Sequence, residues 1–298
     1  MKLREKRIPN PAFTTASDKR FLGIKSSWLE TITEYEADDR VVDVHFKPRR
    51  LVYASGSKLQ DLDINFRTKT LVPQIPLKLR DSIISFENHS EKSVHDSGIG
   101  SDFLICFPNA VETRDLHAGG SFHGLVKAIS LTRTLLVLTI EDAKSVFREY
   151  AVAEAWKRID ETYSKPPLQY RRTSGKVCHI HPAHDFTFKR SQLYLTCDPG
   201  IVKKKYTPTT HGTFDRFTIL SDQPSNRICD FGGRFLVSSE GIVRLFKEDF
   251  KEKKLRVCKE QDLEGEITAL AVNKTKQYVA AGITVDGQHL IRLYRVRK

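Results

Sequence analysis

Arg227-Ile228-Cys229-Asp230-Phe231, Phe235-Leu236-Val237-Ser238-Ser239, a turn at Glu240-Gly241 and Ile242-Val243-Arg244-Leu245-Phe246 make a unit that the chain then repeats. The second copy reads Glu266-Ile267-Thr268-Ala269-Leu270-Ala271-Val272, Tyr278-Val279-Ala280-Ala281-Gly282, a turn at Asp286-Gly287 and Leu290-Ile291-Arg292-Leu293-Tyr294. Each copy is a set of short β-branched, aromatic and small-residue segments split by turn residues, the requirement of meandering antiparallel strands. The copies lie about 43 residues apart, within the period of a propeller blade.

Working outward from this pair, the unit recurs with less regularity toward the N-terminus. Its second segments begin at Leu51, Phe103, Leu135, Leu193, Phe235 and Tyr278, at gaps scattered around about 45 residues. First segments are read at residues 41–48, 83–86, 126–131 and 177–180, third segments at 58–64, 110–116, 145–152 and 201–206, and an outer strand at 214–220. The stretch 141–163 also carries a helix-like apolar face through Ala143, Phe147, Tyr150, Ala151, Trp156 and Ile159; the register of the neighbouring units favours a strand over 145–152. The last unit ends on its third strand, so residues 23–35 are expected to supply its missing edge and close the ring. The reading is therefore an all-β chain forming a single β-propeller of six four-stranded blades, with seven allowed, closed by an N-terminal strand. Its domains are a basic tail over 1–22 and the propeller over 23–298.

Composition bounds the rest. Hydrophobic residues make up 39% of the 298 and charged ones 29%, the balance of a globular chain. No apolar run reaches the roughly 18 residues of a membrane span, and Met1-Lys2-Leu3-Arg4-Glu5-Lys6-Arg7 has no apolar stretch behind it, so a secretory signal and a membrane partner are not expected. Cys106, Cys178, Cys197, Cys229 and Cys258 are odd in number and scattered, mostly in apolar runs. They read as small buried hydrophobes of an intracellular chain rather than a disulfide framework. The formal net charge is +12, which favours phosphate-bearing or acidic partners.

A small residue ends the second strand of several units (Gly56, Ser239, Gly282), and an aromatic stands near the end of the third (Tyr150, Tyr206, Phe246, Tyr294). In this the chain resembles the WD-repeat propellers over roughly residues 23–296. It has no Trp-Asp dipeptide and no Gly-His pair at a blade start, so that family's buried Asp-His-Ser/Thr-Trp network does not carry over. The resemblance implies a rigid disc that binds partners on its faces and rim, without catalysis.

Candidate sites are few. Cys178-His179-Ile180-His181-Pro182-Ala183-His184 has ligand types at short spacing, but reads better as a strand and its exit turn, so no metal and no cofactor is expected. Asp96-Ser97-Gly98-Ile99-Gly100-Ser101 fits a doubly phosphorylated degron at Ser97 and Ser101, in an exposed insertion over 88–101. His117-Ala118-Gly119-Gly120-Ser121-Phe122-His123-Gly124 lacks the Lys-Ser/Thr ending of a phosphate cradle and reads as a connection between blades. Basic clusters supply the candidate contacts to nucleic acid or an acidic partner: Arg49 and Arg50, Arg171 and Arg172, and Lys203, Lys204 and Lys205, with further groups at Lys251, Lys253, Lys254, Arg295 and Arg297.

The expectation that follows is a non-catalytic scaffold subunit of a multiprotein, RNA- or DNA-handling complex, nuclear or cytoplasmic with the nucleus favoured. The alternatives are an RNA-binding accessory subunit of a tRNA- or rRNA-modifying enzyme, and a substrate adaptor in protein degradation.

Overall fold

In the computed structural model the described residues are 27–88, 103–108, 110–113, 116–119, 124–131, 134–141, 144–151, 172–177, 183–189, 192–197, 200–205 and 218–297. They form an all-β propeller whose strands lie in six sheets, and among them there is no helix.

The chain opens with β1 (Leu29–Ala37), which belongs to the last sheet. The first sheet is β2 (Val41–Lys47), β3 (Arg50–Ser55), β4 (Lys58–Asn65) and β5 (Thr70–Pro73), with the short β6 (Leu77–Lys78) also on β4. The second is β7 (Ser85–Asn88), β8 (Phe103–Phe107), β9 (Ala110–Thr113) and β10 (Leu116–Gly119). The third is β11 (Leu125–Leu131), β12 (Thr134–Glu141), β13 (Lys144–Ala151) and β14 (Arg172–Val177). The fourth holds β15 (Ala183–Lys189), β16 (Gln192–Cys197), β17 (Gly200–Lys205) and β18 (Thr218–Ser221), and the fifth β19 (Arg227–Asp230), β20 (Arg234–Ser239), β21 (Ile242–Asp249) and β22 (Lys254–Asp262). β23 (Glu266–Val272), β24 (Tyr278–Val285) and β25 (Gln288–Val296) form the sixth, completed by β1 from the other end of the chain.

Every sheet is an antiparallel meander, and its first strand packs against the first strands of both neighbours, so β2, β7, β11, β15, β19 and β23 make a closed ring around the axis. Closure is the job of β1, paired to β25 from Leu29 opposite Val296 to Ala37 opposite His289 with one bulge between Thr31 and Thr33. The Gln261 side-chain amide clamps that join: its Oε1 accepts from the Leu29 N–H at 2.8 Å and its Nε2 donates to the Leu29 carbonyl at 3.0 Å. Pairing the two ends removes the open edges that a split sheet would expose.

One buried cluster fills each junction between neighbouring sheets. Val44, Leu51 and Tyr53 of the first sheet meet Ala280, Ile291 and Leu293 of the sixth, and Leu138 of the third meets Phe186 and Leu195 of the fourth. Because sheets stack on both sides, a middle strand is buried on both faces: β3 is covered from Leu51 to Ser55 and β16 from Leu193 to Cys197. Hence the second segments read as continuous apolar runs rather than alternating ones. The small residue within β24's buried part has a spatial reason, since a Cβ on Gly282 would stand 2.8 Å from Val41 Cγ1 on the adjoining inner strand.

Three expectations are corrected in position. The fourth sheet's inner strand is Ala183–Lys189, not 177–180; Val177 ends the outer strand of the third sheet. The second sheet's inner strand begins at Ser85, and Ile83 and Ile84 lead into it through N–H bonds to the Gly56 and Cys106 carbonyls, both 2.8 Å. The closing strand is Leu29–Ala37, shifted from the expected 23–35, whose first residues lie outside the described ones. Over 141–163 the strand reading holds for β13, and residues 152–163 lie outside the described set. Of the cysteines, Cys106 and Cys197 are buried, Cys229 is half-buried and Cys258 is exposed. The tail over 1–22 lies outside the described residues.

Candidate functional site

The meander sorts loops by parity. Turns between first and second strands and between third and fourth strands fall where the inner strands end, here the exit face. Turns between second and third strands and the connectors between sheets fall where the inner strands begin, the entry face.

At the positions of positive φ, charge follows the same division. Seven described non-glycine residues have positive φ, a region that costs an L-residue about 1 kcal/mol and favours glycine. On the exit face they are all basic: Arg49 (φ 60°) in turn 48–49, Lys69 (56°) in turn 66–69, Lys253 (54°) in turn 250–253 and Lys276 (60°) in turn 273–277. On the entry face they are all acidic: Glu240 (45°), Glu264 (56°) and Asp286 (50°). Among the described residues Arg49, Lys69 and Lys253 form no ion pair, so no salt bridge within the chain offsets their strain.

Contacts between sheets join the exit-face turns at 273–277 and 66–69 and the end of β19. Lys276 of the sixth sheet donates from Nζ to the Asp230 carbonyl of the fifth at 3.4 Å. Tyr278, at the other end of that turn, stacks tilted on Phe66 of the first, ring centroids 4.8 Å apart. Two large apolar side chains stand exposed in these same turns, Phe66 at 40% and Phe250 at 75%. The carboxylates nearby are already occupied: Asp249 by Arg256 at 3.1 Å and by the N–H groups of Lys251 and Glu252, Glu252 by Arg256 at 2.6 Å, Asp230 by Lys189, and Glu30 by Arg297 at 3.3 Å. Arg297 and the helpful charges around it hold the Glu30 carboxyl below its ordinary range.

The candidates named from sequence fare unequally. Arg49 is exposed at its turn. Arg50 is committed, with Nε 2.7 Å from Asp63 and NH1 3.6 Å from the buried Asp61. Lys203 is committed as well: it pairs with Glu248 and lies 5.6 Å from the Tyr194 ring and 5.7 Å from the Phe250 ring. Lys204 and Lys205 lie in β17 opposite Leu193 and Gln192, and Arg172 lies in β14 opposite Tyr150. Arg171, Ser97 and Ser101 lie outside the described residues, as do Cys178, His179 and His181; His184 is exposed on β15. Among the described residues no group of three or more His, Cys, Asp or Glu could hold a metal ion. Sequence reasoning missed Lys69 and Lys276. The available signal was a lysine where a tight turn would ordinarily take Gly or Asn.

A second set of charges lines the axis and does different work. Four inner strands start with a bulge, between Val41 and Asp43, Leu125 and Lys127, Ala183 and Asp185, and Ile267 and Ala269. A bulge leaves its extra residue out of the ladder; the freed carbonyls of Val42 and Thr268 accept from Arg227 at 3.3 and 2.8 Å, and that of Val126 from Ser85 Oγ at 3.5 Å. Asp43 and Asp185 are equivalents in the first and fourth sheets. Each takes an N–H of its own strand on Oδ1 (Val44 at 2.9 Å, Phe186 at 2.7 Å) and an N–H of the next sheet on Oδ2 (Phe86 and Ile228, both 3.0 Å). Lys127 joins the third sheet to the fourth through Asp185 Oδ1 at 2.9 Å and the Phe186 carbonyl at 3.2 Å. Five of the six junctions thus carry a direct polar bridge between inner strands, and Arg227 of the fifth sheet reaches both the sixth and the first.

These groups titrate abnormally. Burial alone would lower the Lys127 pKa, but the carboxylates of Asp185, Glu87 and Asp43 hold it above its ordinary value. Burial opposes the charge of Asp43 and His45 alike, yet their mutual attraction wins, lowering the carboxyl and raising the imidazole; the two stand 3.5 Å apart. Glu87 is raised, by burial first and by Asp43 and Asp185 in addition. The Cys229 thiol is pushed up to about 12 by burial, and it donates to the Leu270 carbonyl at 3.0 Å rather than serving as a nucleophile.

The sheets define a β-propeller protein. No protein-family model matches the chain and no curated protein matches it. Among solved structures it is similar to the crystal structure of Hsv2 from Kluyvelomyces marxianus, which it matches over 87% of this chain and 73% of that one, with a TM-score of 0.46 and 9% identity. A likeness of that size carries no functional argument.

Proposed function

We propose that this chain is a non-catalytic interaction subunit of a larger assembly that handles RNA or DNA, most at home in the nucleus, and that each of its six sheets is one blade of a divergent WD-repeat-like wheel. The observation that carries the reading is the division of charge between faces: at strained turn positions the chain places Arg or Lys on one face and Asp or Glu on the other. A disc so built can hold a polyanion on one side and present the opposite sign to a protein on the other, with charge speeding encounter and selecting orientation. The axial side chains support a non-catalytic role, because Asp43, Lys127, Asp185 and Arg227 are each occupied in joining one sheet to the next.

The test is affinity purification of the chain from its own cells, with and without nuclease, followed by mass spectrometry. A set of protein companions retained through nuclease and a high-salt wash is the expected result. Loss of every companion on nuclease treatment contradicts the scaffold role.

A further inference from the structure

We propose that the exit face, along the arc formed by the fifth, sixth and first sheets, is a docking surface for a single-stranded nucleic acid, with phosphates held by the basic turns and bases stacked on Phe66 and Phe250. This rests on the reading above that the chain works with nucleic acid, and adds where and in what form.

Three observations converge on that arc. Its turns at 231–233, 273–277 and 66–69 adjoin through Lys276 on Asp230 and Tyr278 on Phe66, and the turn 250–253 stands on the same face at the outer side of the fifth sheet. Its carboxylates Asp249, Glu252, Asp230 and Glu30 are held in ion pairs by Arg256, Lys189 and Arg297, whereas Arg49, Lys69 and Lys253 form no such pair among the described residues, so cations outnumber carboxylates there. The positive potential there is therefore free to act outward. Phe250 and Phe66 stand exposed within those basic turns, and aromatic rings interleaved with cations are what a strand with unpaired bases requires. A duplex keeps its base faces stacked and would leave both rings in water. An acidic protein segment would use the charge but not two separated ring faces.

The test uses the full chain and fluorescence anisotropy with a labelled oligouridylate across a salt series. Glycine suits positive φ, so Arg49→Gly, Lys69→Gly, Lys253→Gly and Lys276→Gly combined is expected to keep the fold, checked by circular dichroism and melting. Wild-type binding should weaken with salt, and the combined variant should lose at least about tenfold at low salt and flatten the log–log slope by about 3, the share of four single-strand phosphate contacts. Phe66→Ala with Phe250→Ala should lose about tenfold with the slope unchanged, since stacking releases no counterions. The entry-face control, Glu240→Gly with Glu264→Gly and Asp286→Gly, should bind as tightly as wild type or more so.

Wild-type affinity and slope in the combined exit-face variant would overturn the assignment of the face while leaving a nucleic-acid role standing. Equal affinity for a duplex, with no effect of the Phe substitutions, would overturn the single-strand assignment. So would binding to anionic phospholipid vesicles or a polyglutamate peptide with none to oligouridylate. Failure of wild type to bind any oligonucleotide overturns this inference alone if protein companions still survive nuclease.

Discussion

The axis and the exit face use the same residue types to opposite ends. On the axis, Asp43, Asp185, Lys127 and Arg227 are occupied by neighbouring strands and by one another, and they fasten sheet to sheet. On the exit face, Arg49, Lys69 and Lys253 are exposed, unpaired among the described residues, and sit in backbone conformations that glycine would hold more cheaply. The difference teaches where charge serves architecture and where it serves recognition. A buried charge with satisfied partners is part of the frame, and a strained exposed one with none is available to something outside the chain.

That contrast can be broken most forcefully at Asp185. Asp185→Ala strands the Lys127 ammonium and the Ile228 N–H in a buried setting, for an expected loss of about 3–5 kcal/mol by urea unfolding; Asp286→Ala on the entry face should stay within about 0.5 kcal/mol. A loss at Asp185 no larger than at Asp286 would show that the axial bridges do not hold the ring. Next in size is Gly200→Ala at the turn between β16 and β17. Its φ is 120° and a Cβ would stand 2.0 Å from the Ser221 carbonyl oxygen, so a loss of about 2–3 kcal/mol is expected, read as a lower urea midpoint at unchanged slope.

The pH response sharpens the axial half. The His45 imidazole is raised in the folded state, so its contribution is complete below its unfolded pKa of about 6.5 and is lost as pH rises through the higher folded value. Asp43 is lowered, so its contribution is present above about 3.8 and disappears as pH falls through the lower folded value. Urea midpoints should therefore decline from near pH 6.5 upward, and His45→Gln should remove that limb while sparing the acid limb; an unaltered alkaline limb in the variant assigns the decline elsewhere. The smallest effect belongs to the exit face. Lys253→Gly should change stability by less than about 1 kcal/mol, because relief of positive-φ strain is offset by the entropy of glycine in the unfolded chain. A drop well beyond that would mean Lys253 has a structural partner.

Much of the frame was legible in the residues. The last two units could be read because Glu240-Gly241 and Asp286-Gly287 mark their turns and the middle strands, buried on both sides, are uninterrupted apolar runs. The fourth sheet was misplaced for a physical reason. Asp185 interrupts its inner strand with a carboxylate whose task is to hold the next sheet, whereas 177–180 begins and ends on β-branched residues, of which Val177 closes the outer strand of the third sheet. Arg50 and Lys203 looked like free cations because their partners are remote in sequence: Asp63 lies opposite Arg50 on the paired strand β4, and Glu248 lies on β21 of the next sheet, a stacking the sequence does not state. The separation of charge at the strained turns was illegible for a different reason: it depends on which turn residues take positive φ, and Arg, Lys, Glu and Asp carry no sequence mark of that conformation.

The most direct test of that separation is photo-crosslinking of the full chain to a 4-thiouridine-substituted single strand, with the attached peptides mapped by mass spectrometry. Attachment is expected at the turns holding Phe66 and Phe250. Attachment confined to the turns of Glu240 and Asp286, or to the tail over 1–22, would contradict it.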